Sequence, residues 1–160
     1  MRLFLFIIGT LLLTACVKRT SSEKVPIVNF KELANVQKTT NGDTAVMVLD
    51  YEDGDGDLFL DKSTQDPNLI FTTYHYEASS GKFVGTFDIL TNDTIRYSTK
   101  ILQPGGGIYR GKYIKGNIYV PLTQFRASKN DKILKFVGFM VDLAGHKSNT
   151  FVSPTYTLDF

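Results

Sequence analysis

Ile133-Leu134-Lys135-Phe136-Val137-Gly138-Phe139-Met140-Val141-Asp142 is the stretch on which the fold reading turns. In an extended chain successive side chains point to opposite faces. Val137, Phe139 and Val141 then share one face, and Phe136, Gly138 and Met140 share the other. Both faces are apolar, which predicts a central strand. Residues 69–76 alternate in the same way, with Ile70, Thr72, Tyr74 and Tyr76 opposite Phe71, Thr73 and His75. Further β-branched and aromatic runs occupy 27–30, 45–51, 83–90, 94–102, 117–122 and 150–158. Between them stand Asn41-Gly42-Asp43, the acidic run 53–57, Ser79-Ser80-Gly81, Asn92-Asp93, Pro104-Gly105-Gly106-Gly107 and Ala144-Gly145. These residue types tolerate positive φ or form local side-chain turns. No amphipathic helical period of ten or more residues stands out, and residues 31–38 read as a helical turn. Short strands without interspersed helices predict an all-β antiparallel sandwich.

The 160 residues carry a formal net charge of +2, 42% hydrophobic and 21% charged residues. That is a globular composition, which excludes collagen-like, coiled-coil and wholly disordered chains. The small net charge argues against a nucleic-acid partner held by bulk electrostatics. A single cysteine excludes an intramolecular disulfide and any multi-cysteine metal site. With no Trp, the twelve Phe and eight Tyr are expected to fill the core.

Residues 1–15 differ from everything after them. Arg2 is followed by an apolar run from Leu3 to Leu13, interrupted only by Gly9 and Thr10. As a helix this run spans about 17 Å, against a hydrocarbon core of ~30 Å. It is too short to cross a membrane and has the form of a signal-peptide core. The Leu13-Thr14-Ala15-Cys16 segment that ends it resembles the lipobox of bacterial lipoproteins. The resemblance implies cleavage before Cys16 and attachment of lipid (palmitate among the acyl chains) to that residue. Several acyl chains on one residue suffice for stable anchoring. Val17, rather than Asp, implies by the same resemblance an outer-membrane destination, and the lack of an acidic run just after Cys16, which some surface-displayed lipoproteins carry, favours a periplasm-facing orientation. Residues 16–24 then form a lipidated cysteine and polar tether, and residues 25–160 the folded domain.

Between Asp50 and Asp61 the chain carries six acids and no base: Asp50, Glu52, Asp53, Asp55, Asp57 and Asp61. Such a segment is either well solvated or holds a cation. Hard cations such as Ca²⁺ take several oxygen ligands at ~2.3–2.6 Å. Asp53, Asp55 and Asp57 offer them at alternate positions, with Gly54 and Gly56 allowing the backbone to curl. The segment is not an EF-hand, because Leu58 and Thr64 occupy the positions of its glycine and bidentate glutamate and strands flank it. Two readings stand side by side: a looser Ca²⁺ loop with Asp61 as a further ligand, and a plain metal-free Asp-Gly turn. No His lies in this window, which argues against catalytic zinc or iron.

The order of a proline-led first strand, then Asp50-Tyr51-Glu52-Asp53-Gly54-Asp55-Gly56-Asp57-Leu58, then a late strand ending in Asp142-Leu143-Ala144-Gly145-His146-Lys147-Ser148-Asn149, carries a second resemblance. It is similar to uncharacterised bacterial lipoproteins with a DGDGD segment and an immunoglobulin-like or fibronectin-like domain. The resemblance implies an immunoglobulin-like sandwich of about 7–8 strands and no particular activity. In that topology the loops after the second and the penultimate strand lie at one end. Asp142 and His146 would then approach the acidic loop, Asp142 as a distal ligand paired with His146 or, in the blander reading, as the cap of its own turn.

Two His, no cysteine nucleophile, and no Gly-x-Ser-x-Gly or His-Glu-x-x-His motif point away from an enzyme. Residues 108–116 mix aromatics and bases, and read as a loop and edge strand guarded by lysines. The expectation is a membrane-anchored, non-enzymatic envelope lipoprotein with a binding or scaffolding module and an unidentified protein or glycan partner. The alternative is an outer-membrane carbohydrate-binding lipoprotein accessory to glycan uptake, against which the absence of Trp weighs.

Overall fold

The computed structural model describes residues 24–39, 42–106, 109–126, 128 and 130–159. The expected signal segment, Cys16 and the expected tether through residue 23 lie outside the described residues, as do Asn41, Gly107 and Ile108 of the expected loops. The strands are β1 (Ile27–Thr39), β2 (Gly42–Asp53), β3 (Leu69–Glu77), β4 (Lys82–Gly85), β5 (Phe87–Asp88), β6 (Asp93–Thr94), β7 (Tyr97–Thr99), β8 (Ile114–Thr123), β9 (Ile133–Met140), β10 (Phe151–Val152) and β11 (Tyr156–Thr157). A single 3-10 turn, Pro104–Gly106, is the other regular element among the described residues.

Two antiparallel sheets pack face to face. One has the order β1-β2-β8, and the other β10-β9-β3-β4, with β11 also on β9 and β7 also on β3. The two-residue period decides what lies between them. Ala45, Met47 and Leu49 of β2 and Ile118, Val120 and Leu122 of β8 face inward from the first sheet. Phe71, Leu134, Phe136 and Met140 meet them from the second. Phe136 sits at the centre, its ring 6.4 Å from those of Phe30 and Phe71 and 6.0 Å from that of Phe125. Two residues on, Gly138 leaves room for its neighbours in the same sheet: a Cβ there would lie 2.6 Å from the Ile70 carbonyl oxygen, the Phe71 Cβ and the Phe151 ring. At the end of the sandwich where β2 begins, the buried Asp43 carboxylate pairs with the equally buried Arg126 guanidinium.

Strand β9 is central in its sheet, as its sequence predicts, with β3 on one edge and β10 and β11 on the other. Only one of its faces is fully buried. Leu134, Phe136, Gly138 and Met140 are covered, while Ile133, Lys135, Val137 and Phe139 are half-exposed. Phe139 is shielded locally by Lys147, whose Nζ lies 3.8 Å above its ring.

Four local expectations are corrected. Residues 31–38 continue β1 and form no helical turn. Two register shifts, between Phe30 and Glu32 and between Ala34 and Gln37, each add a residue opposite β2. Such bulges reset the inward parity, so Phe30, Leu33 and Val36 all pack on the core at a helix-like spacing of three. The Asn35 φ of 51° marks the second bulge. The expected strand 83–90 breaks after Gly85, where a Cβ would lie 2.5 Å from the Thr94 methyl. The chain folds back there as the β5–β6 hairpin, its turn fixed by Leu90 N donating to Asp88 Oδ1 at 2.9 Å. The expected strand 94–102 is consequently divided into β6 and β7. The last strand, 150–158, is divided into β10 and β11 around Ser153, whose Oγ accepts from Phe136 N at 2.9 Å.

Phe136→Ala is expected to lower unfolding stability by about 3–5 kcal/mol, read from urea unfolding of the protein. Val137→Ala, on the half-exposed face of the same strand, should cost clearly less. Equal losses at the two positions would contradict the inward parity described for β9.

Candidate metal centre

The acidic segment begins on the last residue of β2. Asp53 is 1% exposed, and its Oδ2 accepts from the Leu58 N–H at 2.9 Å, which closes the loop 53–58 into a tight ring. Leu58, Phe59 and Leu60 behind it are buried. They are held by Asn68, whose amide donates to Leu58 O at 2.8 Å while its Oδ1 accepts from Ile101 N at 2.7 Å. Gly56 has a φ of 71° and lies so close to the Tyr109 and Lys112 carbonyls that a Cβ would overlap them. Only glycine fits there.

Two further loops clamp this ring through its backbone. Gly111 N donates to Asp55 O, and Leu143 N donates to Asp57 O at 3.1 Å. With these carbonyls turned toward neighbouring loops, the side chains of Asp53, Asp55 and Asp57 gather together. Each contributes an oxygen to a cluster within which all the ligand atoms lie within 4.8 Å of one another. Asp53 Oδ1, Asp55 Oδ1 and Asp57 Oδ1 are all buried and accept no hydrogen bond.

The remaining acids of the segment face elsewhere. Asp50 lies 3.7 Å from Lys31 Nζ, Glu52 accepts from the Tyr113 hydroxyl at 3.0 Å, and Asp61 pairs with Arg110 at 3.2 Å. Asp61 is thus placed outside the cluster, in an exposed ion pair. Asp142 follows β9 and is buried. Its Oδ1 accepts from His146 N at 2.7 Å, and its Oδ2 lies 2.9 Å from His146 Nδ1. It caps its own turn and pairs with His146, while its charge reaches Asp57 and Asp53.

Crowding of acids raises their proton affinity. Burial is the largest cause for Asp57, followed by the charge of Asp142 and then by Asp55 and Asp53, and together they push its carboxyl up to about 6. Burial also raises Asp53, partly offset by the Leu58 N–H. Tyr51, beside the cluster, is raised by burial, by Tyr109 and by Asp53.

His75 does not join this site. It lies on β3 opposite Leu134, whereas the acidic loop lies beside the Leu69–Met140 end of the same pairing. Six residues of strand separate Leu69 from His75, roughly 20 Å. A second feature had no sequence signal: an open groove of about 430 Å³ between β8 and residues 99–104, lined by Tyr51, Phe59, Ile101, Leu102, Tyr119 and Pro121 among others. Its walls are distant in sequence, so no local pattern announces it. Comparison with protein-family models, curated proteins and solved structures gives no match.

A carboxyl whose folded pKa lies above its unfolded value stabilises the fold below the unfolded value, and that contribution is lost as pH rises through the folded one. In EDTA, the Asp57 contribution should therefore fall between about pH 4 and about pH 6. Asp57→Asn should flatten the dependence of the melting temperature on pH across this window and raise the melting temperature at pH 7. An Asp57→Asn protein with the unaltered pH profile would contradict the crowding described.

Proposed function

We propose that this chain is a non-enzymatic envelope lipoprotein, an immunoglobulin-like sandwich carried on lipid attached to Cys16 and working as a binding or scaffolding module. The observation that carries the reading is the strand order. Immunoglobulin-type sandwiches place strands A, B and E in one sheet and C, F and G in the other. With β1, β2 and β8 as A, B and E, and β3, β9 and β10 as C, F and G, the orders β1-β2-β8 and β10-β9-β3-β4 fit that division. Strand β4 then takes the place of an added strand beside C. Such a frame offers loops at two ends and two outer faces, and fold alone names no ligand. The lipobox resemblance of Leu13-Thr14-Ala15-Cys16 supports the anchor, Val17 supports the outer membrane, and the lack of an acidic run just after Cys16 supports a module facing the periplasm.

The carbohydrate-binding alternative has one observation in its favour. The outer face of the second sheet carries Tyr74 and Tyr76 of β3 beside Phe83 of β4. Tyr76 and Phe83 lie 5.6 Å apart, but edge to face, and the Lys135 ammonium lies 4.5 Å over the Phe83 ring. A sugar would have to displace that lysine to stack there, so the scaffolding reading ranks first.

Cells expressing the full chain and fed tritiated palmitate should yield a labelled protein that partitions into the detergent phase of Triton X-114. The Cys16→Ser variant should lose the label. An unlabelled wild-type chain, or a labelled Cys16→Ser chain, would overturn the lipoprotein reading.

A further inference from the structure

Three carboxylate oxygens of the acidic ring are among the buried side-chain atoms that find no hydrogen bond among the described residues, Thr73 Oγ1 being another. Asp53 Oδ1, Asp55 Oδ1 and Asp57 Oδ1 are shielded from solvent and take no hydrogen bond, although Asp53 Oδ2, Asp55 O and Asp57 O each accept one. Nearly all buried polar groups in folded proteins find a partner, so an orphaned one calls for an explanation. An orphaned carboxylate oxygen is costlier than an orphaned neutral group. Here there are three, on side chains that repel one another, and Asp142 adds a fourth negative charge from the next loop. Among the described residues no Lys or Arg pairs with Asp53, Asp55 or Asp57. Asp61, the acid nearest to them in sequence that has a guanidinium partner, is not part of the cluster.

We propose that Asp53, Asp55 and Asp57 form a Ca²⁺ site, in which the ion binds the three orphaned oxygens and fixes the loop end of the sandwich. The donor set selects the metal class. It is all oxygen and all carboxylate, which suits a hard cation, whereas zinc and copper sites draw on imidazole or thiolate. The spacing is compatible with Ca²⁺. Oxygens touching one Ca²⁺ lie on a sphere of radius ~2.3–2.6 Å, so no two can be more than about 5 Å apart. The cluster, with all its ligand atoms within 4.8 Å, meets that limit. Mg²⁺ needs ligands at ~2.0–2.1 Å in near-octahedral order, a tighter and more regular shell.

The surroundings suit an ion that locks loops together. The ring that carries the ligands is bonded through its own backbone to residue 111 on one side and residue 143 on the other. Asp142 is a positioning residue in this arrangement. Both of its oxygens face His146, and the turn that it caps presents Leu143 N to Asp57 O. Neutralising the ring's charge would therefore tighten three chain segments at once. The inference goes beyond the lipoprotein reading and does not depend on the lipid.

The test is thermal melting of the full-length protein in detergent, in EDTA and then in 1 mM CaCl₂ or 1 mM MgCl₂. Calcium is expected to raise the melting temperature by roughly 5–15 °C, and magnesium by clearly less. Asp57→Asn should lose the calcium-dependent rise, while melting higher than wild type in EDTA at pH 7. Loss of the response in a protein that is more stable without metal cannot be put down to misfolding. Asp61→Asn, altered outside the cluster, should keep the full rise. Terbium, a calcium stand-in, should show luminescence sensitised by Tyr51 and Tyr109, and calcium should quench it by competition. Identical wild-type melts in EDTA and calcium would overturn the proposal. So would a rise that survives in Asp57→Asn, or one lost in Asp61→Asn.

Discussion

Strand β9 has hydrogen-bonded neighbours on both edges and must turn Leu134, Phe136 and Met140 into the space between the sheets. Much of the architecture follows from how that space is filled. Phe136 needs rings around it, and Phe30, Phe71 and Phe125 come from three different segments to supply them. Gly138 needs to be small because the Phe151 ring and the β3 backbone occupy the place of its side chain. In a chain without Trp, Phe rings occupy the centre of a core whose other buried members are aliphatic. The bulges of β1 belong to the same solution. They re-aim Leu33 and Val36 inward on a strand that would otherwise have turned them outward.

The two ends of the sandwich handle charge in opposite ways. Where β2 begins, Asp43 is buried against Arg126, so a negative group meets a positive one in a dry site. Where β2 ends, Asp53 is buried among other acids. The second arrangement holds because the loop backbone is bonded on all sides, to Leu58, Gly111 and Leu143, so the chain cannot swing open to relieve the repulsion. Local electrostatic strain is thereby imposed by backbone geometry, and its visible signs are the raised proton affinities of Asp57 and Asp53.

Much of this was legible in the sequence where the two-residue period was regular. Residues 45–51, 69–76 and 133–142 show it and are strands over most of their length. It failed where a bulge changed the parity, as at 31–38, and where the chain turned back within an apolar run, as it does after Gly85 into the β5–β6 hairpin. Neither event leaves a local trace. In the acidic segment, the alternation of Asp53, Asp55 and Asp57 was readable as a shared side. Asp61 was not separable from them by chemistry, because its partner Arg110 lies 49 residues away. The approach of Asp142 required the topology as well as the motif. The late run from Asp142 to Asn149 proves to be a set of clamps. Asp142 holds His146, Ser148 Oγ accepts from Met140 N at 3.0 Å, and Asn149 reaches across to β1.

That last clamp joins distant parts of the chain. The Asn149 side chain accepts from Val28 N and donates to Val28 O, both at 2.8 Å, so one amide imitates a neighbouring strand for a single residue. Val28 is the second residue of the first strand, the point at which tension on the N-terminal segment enters the folded body. A pull arriving there is shared at once between the β1–β2 ladder and the loop after β9, in parallel rather than in series. The first strand is thus braced near its start, and peeling it away breaks the two Asn149 bonds together with the β1–β2 ladder.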